Sequence, residues 1–135
     1  AIIAIASAIA TKNQQLKEAT INQFTNDLDE KELSAAKAAA AIMAMNNIYY
    51  RFLDLIELEE YSKIPAGLRM NILGTHGIEK VDFELAALAV SAVNGCKYCV
   101  LAHERVLRKH GITAEQIHST VKIAAILNGI AAVNL

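Results

Sequence analysis

The chain has 135 residues, of which 54% are hydrophobic and 20% charged, and this balance excludes a disordered polypeptide. Thirteen Lys and Arg residues against fourteen Asp and Glu residues give a formal charge of −1, so no strong field attracts nucleic acid or an anionic membrane. We expect one domain over residues 1–135, with neither nucleic acid nor membrane as a partner.

The composition favours an all-α fold. Aromatic residues make up only 5% of the chain, Trp is absent, and much of the apolar content is Ala, which suits helices that pack closely. One proline and six glycines supply few turns for a β fold. We predict a bundle of about six helices.

The first ten residues are mostly apolar. A segment of that length cannot cross a bilayer, which requires about 20 residues, and no basic segment precedes it as in a signal peptide. We expect the sequence to begin inside a helix of a longer chain, so that part of the N-terminus is missing.

Two long helices are predicted first. Apolar residues form a rough stripe over residues 2–24, which predicts one helix there. A second helix begins near Asp29, because Asp29 and Glu32 are typical of an N-cap and an acidic first turn. It continues through an alanine-rich run to Ile56, with Asn46-Asn47 as a point where it could break.

The middle of the chain is less regular. Residues 61–65 are predicted to be a connector, and a short helix follows over 67–74, with Gly74 or Gly77 as its C-cap. A fourth helix is predicted from Val81-Asp82, with Asp82 as N-cap, to Asn94-Gly95.

Two further helices complete the prediction. The fifth begins at the cysteines and ends at His110, with Gly111 as the left-handed residue after it. Thr113 is expected to cap the sixth, with Glu115-Gln116 forming a capping box, and this helix extends to about residue 133.

The sequence also contains a faint internal repeat. The segment 32–47 is similar to 84–99: both open with Glu-Leu, continue with small helix-forming residues and reach an Asn-containing break. A duplicated helical hairpin would explain this pattern.

The two cysteines of the chain, Cys96 and Cys99, lie three positions apart, directly after Gly95. So few cysteines argue against an extracellular disulfide scaffold and fit a reducing, cytoplasmic compartment with one special dithiol. A zinc site would need four ligands, and a second CxxC motif is missing.

Helical spacing places three reactive side chains in one column. Cys96 lies over Cys99, and Cys99 over His103, because residues three and four apart share a helix face. Free amides at the helix start favour a thiolate at Cys96. We expect His103 to hydrogen-bond to the Cys99 thiol, take its proton and lower its pKa. The alternative is that both cysteines are inert, buried small residues.

Glu84 is the remaining site candidate. It stands in an apolar stretch, where a carboxylate needs water or a partner, and it could orient His103 and relay its proton. It could equally be an acidic residue favoured by the helix dipole. Tyr98 is expected to be a packing residue, whereas His76, His110 and His118 are expected to be solvated.

The pattern E-x11-C-x2-C-x3-H from Glu84 to His103 resembles the alkylhydroperoxidase D family, within the carboxymuconolactone decarboxylase-like superfamily. The segments AAAAIMAMNNIYYRF, PAGLRMNI, FELAALAVSAVNGC and LRKHGITAEQI carry the same resemblance, which covers residues 35–130. The best-known members have a second histidine between the cysteines, where this chain has Tyr98. Tyrosine is a poor base at neutral pH.

The resemblance implies an all-helical fold assembled as a trimer or a multiple of it, with Glu84, Cys96, Cys99 and His103 as catalytic residues. It implies a weak peroxidase that also reduces a partner peroxiredoxin, the alkyl hydroperoxide reductase C subunit. No bound cofactor is implied. Lipoyl groups of dihydrolipoamide acyltransferase, served by dihydrolipoamide dehydrogenase, or another thiol would be the electron donor.

The working hypothesis is a dithiol cycle. Cys99 attacks a hydroperoxide and becomes a sulfenic acid, Cys96 condenses with it, and a reductant then attacks the more accessible sulfur, expected to be Cys96. The order of the two cysteines could be reversed. Two alternatives remain: a carboxymuconolactone decarboxylase on the same fold, which generally lacks the CxxC motif, and a non-enzymatic helical assembly module.

Overall fold

Eight helices and no β-strand form the regular structure of residues 1–133, the part of the chain that this computed structural model describes. The all-α prediction is therefore confirmed. The helices are α1 (Ile2–Ala10), α2 (Gln14–Phe24), α3 (Glu30–Ile56), α4 (Glu59–Ser62), α5 (Ile72–Thr75), α6 (Lys80–Asn94), α7 (Lys97–Lys109) and α8 (Ala114–Val133).

The single helix predicted over residues 2–24 is wrong, because the chain turns between α1 and α2. Lys12 has a left-handed backbone with φ of 62°. The Asn13 side chain then caps α2 by accepting a hydrogen bond from the Leu16 amide at 2.9 Å. The polar residues at positions 11–13 indicate this break, but the apolar residues on either side of them fit a single helical pattern.

Helix α3 begins with the predicted capping box. The Asp29 carboxylate accepts from the Glu32 amide, and the Glu32 side chain accepts from the Asp29 amide. The break proposed near Asn46-Asn47 is wrong, because the helix continues through both residues, which are buried. The Asn-containing break of the proposed repeat is thus absent from its first copy.

The segment before the cysteines differs from the prediction at both ends. The short helix predicted over 67–74 begins later and is shorter, because α5 covers only Ile72–Thr75. Gly67 takes a left-handed φ of 67°. Helix α6 begins at Lys80 with Glu79 at its N-cap position, so Asp82 lies in the first turn and is not the cap. A carboxylate in a first turn still benefits from the helix dipole.

Glycine ends α6 and α7 as predicted. Gly95 has φ of 70°, and the amides of Gly95 and Cys96 bond to the carbonyls of Ala92 and Ser91 at 3.2 and 3.1 Å. Gly111 after α7 has φ of 82°. Reciprocal hydrogen bonds between Thr113 and Gln116 confirm the capping box before α8.

Alanine builds the core that holds the site in place. Helix α1 packs against α3, α6 and α8, and α3 packs against α6 and α7. The buried residues of this main cluster are Ile5, Ala6, Ala35, Ala36, Ala39, Ala40, Met43, Phe83, Ala86, Ala87 and Val90. Small side chains let the helix axes approach, so the middle of α3 lies beside the start of α7. Within residues 1–133, no helix has the length and apolar character required to span a membrane.

Candidate active site

The turn from α6 to α7 places both cysteines at the start of a helix. Cys96 occupies the N-cap position, where its sulfur accepts a hydrogen bond from the Cys99 amide at 3.3 Å. Both cysteines are free thiols in this structure. A sulfur that caps a helix lies against the amides of the first turn, as the spacing predicts.

A cavity of about 230 Å³ lies between α3, α6, α7 and the segment around α5. Cys99 and His103 line it from α7, and Glu84 lines it from α6. The other lining residues are Met43, Asn46, Tyr50, Met70, Leu73, His76, Lys80, Phe83, Tyr98 and Ala102. Cys96 is not among them and is completely buried. The expectation that Cys96 is the more accessible sulfur is therefore wrong, because the first turn of α7 covers it.

Cys99 is held as a neutral thiol. Its burial and its hydrogen bond with Cys96 raise the pKa of Cys99 from an ordinary value of 9.0 to about 12, and a hydrogen bond from Asn47 offsets only part of this. The thiol donates a weak hydrogen bond to the Asn46 carbonyl at 3.9 Å. The predicted lowering of the Cys99 pKa is wrong, because burial and the interaction with Cys96 outweigh the opposing hydrogen bonds from Asn47 and from the Cys99 backbone.

Glu84 and His103 form a close pair. The Glu84 Oε2 atom lies 2.6 Å from Nδ1 of His103, and both side chains are about 85% buried. Burial alone raises the pKa of Glu84, but the hydrogen bond and charge of His103, helped by Lys80, lower it below its ordinary value of 4.5. The carboxylate is thus ionised at neutral pH and can accept a hydrogen bond from Nδ1–H.

The other nitrogen of His103 points to a sulfur that sequence reasoning did not consider. Nε2 lies 3.2 Å from Sδ of Met43, a residue of α3. Within residues 1–133, His103 makes no hydrogen bond to Cys96 or Cys99, so the predicted contact with the Cys99 thiol is wrong. Glu84 holds one edge of the ring and Met43 the other.

A hydrogen-bond network centred on the buried Asn47 amide supports the cysteine turn from α3. Asn47 donates to the Ser91 hydroxyl and accepts from the Asn94 amide, both at 3.0 Å. Arg51 donates to the Asn94 carbonyl at 3.1 Å. Because Asn94 directly precedes Gly95, this network fixes the end of α6 and hence the position of the dithiol.

Two further side chains shape the cavity. The Asn46 amide nitrogen contacts Sδ of Met70 at 3.0 Å, while its oxygen is buried with no hydrogen-bond partner among residues 1–133. His76, expected to be solvated, lines the cavity and stacks on Phe83 with ring centroids 4.2 Å apart. His110 and His118 are exposed, as predicted.

Tyr98 stacks on Tyr50, with ring centroids 4.7 Å apart and planes 11° from parallel. Tyr98 is more than half exposed, so its packing role is confined to one face. Burial, with a smaller contribution from Tyr98, raises the pKa of Tyr50 above its ordinary value of 10.0. Tyr50 therefore stays protonated near neutral pH, and the aromatic pair forms one wall of the cavity.

The residues that the sequence did not reveal come mainly from α3: Met43, Asn46, Asn47 and Tyr50. From the sequence alone, the adjacent asparagines Asn46 and Asn47 indicate only a possible helix break. Two buried amides inside an alanine-rich helix were the available signal, because such groups need partners. Among residues 1–133, no cluster of His, Cys, Asp or Glu is arranged to hold a metal ion.

The chain is thus a helical bundle in which a pair of cysteine thiols lies near a Glu–His pair, and its sequence can be compared with those of known protein families. The model of the carboxymuconolactone decarboxylase family matches residues 59–135. This range contains α6, α7 and α8, and the chain belongs to this family.

Within the family, the chain belongs with the AhpD proteins. It is 52% identical to "Alkyl hydroperoxide reductase AhpD" of Coxiella burnetii over 133 residues, 98% of this chain and 75% of the relative. It is 50% identical to the protein of that name from Gluconacetobacter diazotrophicus, covering 95% of this chain and 70% of the relative. The Maricaulis maris protein is 51% identical, with 96% and 75% covered.

Proposed function

We propose that this chain reduces alkyl hydroperoxides by cycling Cys99 and Cys96 between dithiol and disulfide. The observation that carries the proposal is that Cys99 lines a cavity shared with the Glu84–His103 pair, while Cys96 lies directly behind it. A small hydroperoxide with a polar end and an apolar tail suits a cavity of about 230 Å³ with mixed walls. The names of the relatives support this reaction.

The reaction balances with these groups alone. The Cys99 sulfur bonds to the terminal oxygen of the hydroperoxide, the O–O bond breaks, and the leaving alkoxide takes a proton to become an alcohol. The sulfenic acid on Cys99 then condenses with the Cys96 thiol, which forms the disulfide and releases water. His103, paired with Glu84, is the group that supplies and recovers the proton.

Regeneration requires a thiol donor that can enter the cavity. Because Cys99 lines the cavity and Cys96 is buried, the donor attacks the Cys99 sulfur and releases Cys96 as a thiol. We assign this role to a dihydrolipoyl group of dihydrolipoamide acyltransferase, kept reduced by dihydrolipoamide dehydrogenase, or to another small thiol. The resulting dithiol would also reduce a partner peroxiredoxin, the alkyl hydroperoxide reductase C subunit.

Self-association belongs to the same proposal. Large apolar side chains are exposed along α8 at Ile126, Ile130 and Val133, and along α3 at Ile48 and Leu55. Such surfaces are typical of subunit contacts, and a trimer or a multiple of it would cover them. Light scattering after size-exclusion chromatography measures the assembly, and a monomer at all concentrations would contradict this part.

The test is hydroperoxide consumption with dihydrolipoamide as donor, comparing the native chain with Cys99→Ser and Cys96→Ser. We expect neither variant to turn over. Cys96→Ser should accumulate one dimedone-reactive sulfenic acid per chain at Cys99, because no second thiol traps it. Sustained turnover by Cys99→Ser would refute the assignment, and labelling of Cys96 in that variant would reverse the order.

The alternative function is decarboxylation of a lactone, because the family whose model matches is named for carboxymuconolactone decarboxylase. The relatives at about 50% identity carry the name of a hydroperoxide reductase and weigh against it. Decarboxylation of a muconolactone that survives Cys96→Ser would favour the alternative.

A further inference from the structure

The contact between His103 and Met43 is not required by the dithiol cycle. Met43 is buried on α3, its side chain lines the cavity, and its Sδ atom lies 3.2 Å from Nε2 of His103. A thioether sulfur can accept a hydrogen bond but has no proton to donate. The contact is therefore a hydrogen bond only if Nε2 carries a hydrogen.

The opposite edge of the ring leads to the same conclusion for Nδ1. Oε2 of Glu84 lies 2.6 Å from Nδ1 of His103, and Oε1 of the same carboxylate lies 3.7 Å from Nζ of Lys80. The lowered pKa of Glu84 keeps this carboxylate ionised, so it too can only accept. With acceptors at both edges, both contacts can be hydrogen bonds only when each ring nitrogen carries a hydrogen.

No other ionisable group competes for the ring in residues 1–133. The remaining titratable groups that line the cavity are Tyr50, His76, Lys80, Tyr98 and Cys99, and none of them hydrogen-bonds to the imidazole of His103. The Cys99 thiol instead donates to the Asn46 carbonyl. These two acceptors therefore set the orientation of the ring.

We propose that Met43 is a positioning residue, whose sulfur holds the doubly protonated imidazole of His103 beside the cavity as a proton donor. This inference rests on the proposed hydroperoxide reduction and gives His103 its starting state. At rest, His103 is then an acid rather than the base that the sequence suggested. The residue itself transfers the proton, whereas Met43 acts only through His103.

A thioether suits this role because it is a weak acceptor. A carboxylate at this place would hold the proton tightly, whereas an aliphatic side chain would leave a buried N–H without a partner. When the hydroperoxide binds, its inner oxygen replaces Met43 as acceptor of Nε2–H. As the Cys99 sulfur takes the terminal oxygen and the O–O bond breaks, that proton passes to the leaving alkoxide.

The proton balance then closes at the same atom. The proton lost by the Cys99 thiol moves to the vacated Nε2, which restores the imidazolium. Cys99 is oxidised by two electrons to the sulfenic acid, and the hydroperoxide is reduced by the same two electrons to the alcohol. His103 therefore begins and ends the step with both protons.

The decisive measurement is the protonation of the two ring nitrogens of His103, read from long-range 1H–15N NMR correlations at neutral pH without peroxide. We expect both nitrogens to be protonated in the native chain and in Met45→Leu, which removes a sulfur of the same helix that does not line the cavity. Met43→Leu conserves the side-chain volume but removes the acceptor, so Nε2 should lose its proton.

Met43→Gln is the rescue variant, because its amide oxygen can accept from Nε2–H and should restore the doubly protonated ring. An unprotonated Nε2 in the native chain would overturn the proposal, whether or not any variant folds. A spectrum of Met43→Leu identical to that of the native chain would overturn it as well.

Kinetics separates this inference from the proposed function. General acid–base catalysis contributes about 10²–10⁴-fold, so a misplaced ring should slow the hydroperoxide step of Met43→Leu by about tenfold or more, with KM unchanged. An unchanged rate would contradict the positioning role. A native chain with both nitrogens protonated but without hydroperoxide consumption would instead refute the proposed function.

Discussion

Raising the pH is the sharpest perturbation of this site, because the Cys99 thiol should resist ionisation far above neutrality. A pKa of about 12, against an ordinary value of 9.0, places the thiolate fraction of Cys99 about a thousandfold lower at pH 8 than in the unfolded chain. Alkylation proceeds through the thiolate, so Cys99 should react about a thousandfold more slowly in the folded protein.

Peptide mapping can follow each thiol separately. Trypsin cleaves after Lys97, which places Cys96 and Cys99 on different peptides of the native sequence. Iodoacetamide labelling at a series of pH values, quantified by mass spectrometry, then gives the rate at Cys99, with the urea-unfolded chain as control. We expect the folded-state rate to rise tenfold per pH unit and to keep rising beyond pH 9.

The slope distinguishes ionisation from access. If steric protection alone slowed Cys99, the folded-state rate would be low but would level off near pH 9, as in the unfolded chain. A plateau at or below pH 9 would therefore refute the argument that burial and the Cys96 hydrogen bond hold the proton on Cys99.

The same difference has a consequence for folding stability. Between pH 9 and 12 the unfolded chain loses the Cys99 proton while the folded chain keeps it, so the free energy of unfolding falls as pH rises. The full loss is about 4 kcal/mol, at 1.36 kcal/mol per pH unit. Urea denaturation of the native chain and Cys99→Ala isolates this contribution, which is present below pH 9 and absent above 12.

Three substitutions test the supports of the site by urea denaturation, and a fourth is the control for the glycine substitution. Glu84→Gln should cost about 1–2 kcal/mol at neutral pH, because it removes the charge facing His103; this difference should vanish as the pH falls below 4.5. Asn47→Ala should cost about 2–4 kcal/mol, since it removes a buried amide and leaves the buried Ser91 hydroxyl and the partly buried Asn94 amide without this partner, and a loss below about 1 kcal/mol would contradict the network. Gly95→Ala should cost about 1 kcal/mol through its left-handed backbone alone, because a Cβ there meets no atom within 4 Å. Gly129→Ala, inside α8 with equal space, should instead stabilise by up to about 1 kcal/mol.

Local chemistry made much of the fold readable from the sequence. The capping boxes at Asp29 and Thr113 and the glycine ends at Gly95 and Gly111 each depend on residues within four positions of one another. Such signals do not require knowledge of the tertiary structure. The same periodicity places Cys99 and His103 on one side of α7, where both line the cavity, but it does not bring their side chains into hydrogen-bond contact.

The direction of the His103 ring could not be read in this way. One of its partners, Met43, lies 60 positions earlier in the chain. Their contact depends on how α3 packs against α6 and α7, and the alanine-rich face of α3 is compatible with several packing registers from sequence alone. The raised pKa of Cys99 has the same origin, because it reflects burial that only the assembled bundle provides.

The proposed dithiol cycle would give the sulfur of Cys96 two roles that compete with each other. In the dithiol form it accepts a hydrogen bond from the Cys99 amide and so caps α7. In a disulfide the same sulfur would be bonded to Cys99 Sγ and would have to rotate away from that amide. Losing an N-cap costs about 0.5–2 kcal/mol, which corresponds to about 10–40 mV at two electrons per disulfide. We expect oxidation to loosen the helix start, visible as faster hydrogen exchange of the Cys99 amide, and to make the disulfide correspondingly easier to reduce; equal exchange in both redox states would show that the cap survives. The N-cap of α7 would thereby shift the equilibrium between disulfide and dithiol toward the dithiol form.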